Sequence, residues 1–114
     1  MTEKQLQEAV IACAKLLGWR VYHTWDSRRS APGFPDLVLV LPGSRLIFAE
    51  LKTETGKVSD AQNQWLDDLG SVTWDTEEYI WRPRHWLSGE IENILRGKPP
   101  LPGEDTKATR GSVN

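Results

Sequence analysis

The stretch from Gly33 to Lys52, GFPDLVLVLPGSRLIFAELK, leaves a chain few ways to fold. Its apolar runs, Leu37–Leu41 and Leu46–Ala49, flank Pro42-Gly43-Ser44. Continuous apolar runs suit strands covered on both faces, and Pro-Gly-Ser between them signals a hairpin. A three-residue loop would pair Leu41 with Arg45 and set Asp36 opposite Glu50 on one face, which Lys52 would share. A two-residue loop would shift the register by one and send the two acids to opposite faces. In the first register, carboxylates about 5 Å apart repel by roughly 3 kcal/mol at an effective dielectric of about 20. One acid must then hold a proton, or a cation must lie between them. Lys52 brings one positive charge against two negatives, so a divalent metal balances the pair better.

Upstream, Thr2-Glu3-Lys4-Gln5 reads as a capping box that opens a helix at once. Leu6, Val10, Cys13 and Leu17 form its apolar stripe, and Gly18 ends it. Projected at helical spacing, Glu3 lies within roughly 40° of the stripe's centre and faces the sheet, whereas Glu8 points away. Glu3 is then either a first-turn acid complementing the helix dipole or a member of the acidic centre, and position alone does not choose. Trp19–Trp25 reads as the first strand, followed by a polar loop, Asp26–Pro32, with Arg28 and Arg29 just before Asp36. Those arginines are either ordinary solvated residues or phosphate contacts beside a metal site. His23 has no His or Cys partner at ligand spacing and reads as a hydrogen-bonded structural residue.

After Lys52 comes a turn-rich link with Lys57, then a second capping box, Ser59-Asp60-Ala61-Gln62. It opens a helix with Trp65, Leu66 and Leu69 on its buried side, which Gly70 is expected to close. Gln62 thus has a capping role to weigh against a catalytic one. A last strand is expected between Val72 and Trp81, most clearly Glu78–Trp81. A helix from Pro83 carries Trp86, Leu87, Ile91, Ile94 and Leu95. From Gly97 the composition turns Pro-rich and polar, so a mobile tail is expected over 97–114, after a single domain spanning 1–96. The order is helix, three strands, helix, strand, helix: an α/β fold around a mixed central sheet.

Composition narrows function by exclusion. A net charge of −2 argues against a protein that grips nucleic acid by bulk electrostatics, though not against local basic patches around an acidic centre. A single cysteine forms no internal disulfide and fits a reducing compartment. With no membrane-length apolar run and no signal-peptide pattern at the amino terminus, a cytoplasmic location is expected.

Gly33-Phe34-Pro35-Asp36-Leu37, Glu50-Leu51-Lys52, and Ser59, Gln62 and Trp65 resemble the PD-(D/E)XK nuclease superfamily. Within it they look like the small stand-alone VRR-NUC nucleases of bacteriophage genomes, as does Trp81-Arg82-Pro83. The resemblance covers roughly residues 2 to 95 and implies a restriction-endonuclease-like αβββαβ core. By it, Asp36, Glu50 and the Leu51 carbonyl would bind Mg2+, for which Mn2+ would substitute, while Lys52 orients the attacking water and stabilises phosphate charge. Glu3 corresponds to the family's first-helix acid and Gln62 to its second-helix glutamine. Arg28, Arg29 and Lys57 are the candidate nucleic-acid contacts. The implied activity is metal-dependent hydrolysis of DNA, with branched or junction DNA as substrate, a homodimer as the assembly, and a bacterial or phage-infected cell as the setting. A nicking or restriction-like nuclease on duplex DNA is the alternative enzyme, and a non-catalytic nucleic-acid-binding module on the same fold is the alternative class.

Overall fold

Both ends of the Thr2–Gln5 capping box form. The Gln5 N–H donates to Thr2 Oγ1 at 3.1 Å and the Thr2 N–H to Gln5 Oε1 at 2.8 Å, so α1 (Glu3–Leu16) starts where the sequence places it. The computed structural model describes residues 1–24, 31–72, 75–99, 103 and 105–108. The remaining elements are β1 (Arg20–His23), β2 (Leu37–Leu41), β3 (Arg45–Leu51), α2 (Asp60–Val72), β4 (Thr76–Trp81), α3 (Pro83–Leu87) and α4 (Glu90–Arg96).

The four strands form one mixed sheet in sequence order, with β1, β2 and β3 antiparallel and β4 parallel to β3 through the α2 crossover. The hairpin register is the three-residue one. Leu41 pairs with Arg45 and Leu37 with Ala49, and the Ser44 N–H donates to the Leu41 carbonyl at 2.9 Å. Gly43 at φ 73° takes the left-handed position that this turn needs. One more step along that ladder brings Asp36 opposite Glu50.

Leu37, Leu39, Ile47 and Ala49 point to one face, where they share a core with Leu6, Val10 and Ala14 of α1 and with Ile91, Ile94 and Leu95 of α4. Cys13 and Leu17 pack at its margin, the small-hydrophobe role expected of the lone thiol. On the other face Phe34 meets Phe48 and Trp65 edge-on, with ring centroids 6.5 and 5.0 Å apart, and joins α2 to the sheet. At the end of β3 away from Glu50, Arg45 makes a bidentate pair with Glu77 at 2.7 and 2.8 Å. It also donates to the Ile94 carbonyl at 2.7 Å and lies over the Trp19 ring, tying sheet to α4.

Several expectations need correction. α2 does not stop at Gly70 but runs through it to Val72; burial of Gly70 in the packed helix overrides its weak helical preference. The single helix expected from Pro83 is two, α3 and α4, separated at Ser88–Gly89. β1 is shorter than expected, and Trp25, like Arg28 and Arg29, lies outside the described residues. The mobile tail expected over 97–114 does not hold for residues 105–108. The Ile80 N–H donates to the Thr106 carbonyl and the Ala108 N–H to the Glu78 carbonyl, both at 2.9 Å, and Lys107 bridges Tyr79 along the outer edge of β4. An unpaired edge strand exposes a row of backbone donors and acceptors, and this segment covers part of it.

Candidate active site

Asp36 stands one residue before β2, where the chain enters the sheet from the Gly33-Phe34-Pro35 turn. Two bonds from Thr24 fix that entry: its N–H donates to the Asp36 carbonyl at 3.0 Å and its hydroxyl to the Pro35 carbonyl at 3.2 Å. Asp36 Oδ2 in turn accepts the Leu51 N–H at 2.8 Å, which locks the acid against the end of β3. Because neighbouring residues in a strand direct their backbone groups to opposite sides, the Lys52 N–H points the other way, to the Trp81 carbonyl.

Glu50 is only 3% exposed. Its Oε2 accepts from Gln62 Nε2 at 2.7 Å and lies 3.9 Å from Lys52 Nζ. Its Oε1 is buried with no hydrogen-bond donor. Asp36 and Glu50 act on each other through their side chains, so the two acids titrate as a linked pair. Burial, then the Asp36 charge, push Glu50 up to about 8, against the opposing pull of Lys52. Burial also raises Asp36, partly offset by the Leu51 N–H and Lys52. Glu3 is raised by burial and then by Asp36, which places the first-helix acid in the field of the same centre. The dipole-complement and active-centre readings of Glu3 are therefore compatible.

The donor set bears on which cation fits. Among the described residues no group of three or more His, Cys, Asp or Glu side chains could cage a metal. Two carboxylates at a strand end, one with a buried oxygen lacking any donor, suit a hard, largely hydrated divalent ion and not a nitrogen–sulfur zinc site.

α2 approaches this centre closely because residue 33 has no side chain. A Cβ on Gly33, at φ 86°, would lie 2.5 Å from the Ala61 carbonyl carbon and 2.7 Å from the Gln62 nitrogen, so any other residue would force the helix back. Of the sequence candidates, Glu3, Asp36, Glu50, Lys52 and Gln62 converge, and Leu51 contributes its backbone. Lys57 is exposed on the following loop and takes no part in the contacts described at the centre. Arg28 and Arg29 lie outside the described residues. His23 lines a groove of about 320 Å³ with Glu3, Lys4, Gln7 and Thr24, beside the acids.

Arg82 was not legible as a supporting residue. Its Nη1 donates to the carbonyls of Thr53, Glu54 and Gly56 at 2.6, 3.3 and 2.8 Å, and Arg84 pairs with Glu54 at 2.8 Å. Together they staple the loop that follows Lys52. These partners lie far apart in sequence, and no local pattern marks the pairing.

The sequence profile of the VRR-NUC domain matches residues 1–78, more than half of the chain and the whole of the cluster from Glu3 to Gln62. The chain belongs to the VRR-NUC family. This VRR-NUC domain is a nuclease domain, and its fold is that of a solved nuclease. The Holliday junction resolvase Hjc of the archaeal hyperthermophile Archaeoglobus fulgidus superposes with a TM-score of 0.52 at 18% identity, over 70% of this chain and 68% of that one. No curated protein matches in sequence. No helix among the described residues of the VRR-NUC domain is long and apolar enough to cross a membrane.

Proposed function

We propose that this VRR-NUC domain is a metal-dependent DNA endonuclease acting on branched DNA. The observation that carries it is the pairing of Asp36 and Glu50 across the hairpin, with Lys52 beside Glu50 and one buried carboxylate oxygen left without a donor. Asp36, Glu50 and the Leu51 carbonyl would hold Mg2+, with Mn2+ able to substitute. Such an ion supplies Lewis-acid polarisation of the scissile phosphate and acidifies the attacking water. Lys52 orients that water and adds positive charge where the phosphorane develops. Glu3 adds negative field that strengthens the hold on a cation, and Gln62 steers Glu50. Arg28, Arg29 and Lys57 hold the flanking phosphates, so that local positive charge offsets the acidic centre.

The fold shared with the archaeal resolvase supports a junction as substrate. A two-fold homodimer would present two such centres to two strands, as cutting a junction requires. Residues 1–96 form the catalytic domain in this reading, working in the cytoplasm of a bacterial or phage-infected cell.

The test is cleavage of a synthetic four-way junction and of a plasmid, with magnesium or manganese, by the wild type and by Asp36→Asn. The asparagine keeps an acceptor for the Leu51 N–H, so the fold should survive. Junction cleavage at least about a thousandfold faster in the wild type is expected, because a metal ligand is lost. Preferential nicking of plain duplex would replace the junction by duplex as the substrate. Equal activity of both proteins would refute the site.

A further inference from the structure

Gln62 meets two demands with the two ends of one amide. Its Oε1 accepts the Ser59 N–H at 2.8 Å while its own N–H donates to Ser59 Oγ at 3.1 Å, which closes the capping box of α2. Its Nε2 then points to Glu50 Oε2 at 2.7 Å. Glutamate and glutamine serve a capping box equally, but only glutamine has a donor left at the far end of the side chain. A glutamate here would instead turn a third carboxylate on Asp36 and Glu50. The cap therefore fixes the sense of the amide, with oxygen to the helix start and nitrogen to the acid.

We propose that Ser59 is a positioning residue for the cation site, acting through Gln62. Holding Gln62 at both its backbone N–H and its amide oxygen keeps Nε2 on Oε2 of Glu50. Oε1 is then the oxygen left buried without a donor, and the one that would take the ion. The close approach that Gly33 permits, and the edge-on contact of Phe34 with Trp65, set the helix at the distance this bond needs. Ser59 touches neither acid, yet the orientation of Glu50 depends on it, as partners beyond the direct ligands commonly orient metal ligands. The inference rests on the metal-site reading given above.

The test is manganese affinity by electron paramagnetic resonance for the wild type, Ser59→Ala and Ser59→Thr, alongside thermal unfolding of the metal-free proteins. Ser59→Ala is expected to weaken manganese binding by about tenfold. Ser59→Thr, which keeps a hydroxyl acceptor, is expected to return it to within about twofold of the wild type. Should Ser59→Ala fail to fold, Ser59→Gly lacks the same hydroxyl and is tolerated at a helix start, and the same loss is expected. A Ser59→Ala protein with a lower unfolding temperature but wild-type manganese affinity would overturn the positioning role and leave an ordinary cap. Absence of manganese binding in the wild type itself would remove the metal-site reading as well.

Discussion

Glu50→Gln is expected to abolish DNA cleavage and, at the same time, to make the metal-free protein more stable. The two effects have one origin. Glu50 is buried against Asp36 and can be charged there only at a cost, which is why its pKa is pushed up to about 8. An amide of the same shape carries no charge. Its oxygen can still accept from Gln62, and its NH2, in place of the Glu50 Oε1 that has no donor, can donate to Asp36. The gain should reach on the order of 1–3 kcal/mol above pH 8 and shrink towards zero at pH 5, where Glu50 is already protonated. Urea unfolding at the two pH values measures it. A protein destabilised by this substitution at high pH would mean that Glu50 is not strained in the native state. Activity is traded against stability here, as is common where a site must hold like charges together.

The same strain sets how stability follows pH. Glu50 binds its proton more tightly in the folded chain than in the unfolded one, between its ordinary value of 4.5 and about 8. Over that window the native state holds more protons, so the stability of the metal-free protein should fall as pH rises from about 4.5 to 8 and level off above. Asp36 and Glu3, both raised, act in the same direction. Glu77 acts oppositely and in a different window. Its burial is outweighed by Arg45 and Tyr79, which hold it below 4.5, so its contribution is lost only in more acid solution. Magnesium or manganese should flatten the fall between 4.5 and 8, because an ion replaces the proton between the acids. Thermal unfolding across pH, with and without metal, reads both effects. Stability that rises with pH over this window would contradict the arrangement of the acids.

Features that depend on near neighbours were legible in the sequence. Both capping boxes span four residues, and Thr2–Gln5 and Ser59–Gln62 form as read. The three-residue hairpin, one of the two registers that Pro42-Gly43-Ser44 left open, is the one that forms, and with it Glu50 meets Lys52. What depends on distant partners was not legible. Gly70 resembled a helix end because its burial in α2 comes from tertiary packing. Residues 105–108 looked mobile because they dock on β4 through backbone bonds that side-chain composition does not reveal. Arg82 bonds to carbonyls, which every residue has, so nothing in the sequence of the 53–56 loop announces it. The capping and site roles of Gln62 stood as rivals in the sequence, and only the fold shows one side chain filling both.

The proton that Glu50 holds beside Asp36 can be counted as it leaves. Calorimetric titration of manganese into the protein at pH 7, in buffers of different ionisation enthalpy, gives both the ions bound and the protons released. One ion per chain with release of about one proton is expected, since Glu50 is then mostly protonated. Binding should be lost in Asp36→Asn. Ion binding with no proton released, or binding indifferent to Asp36→Asn, would contradict a cation held between these two acids.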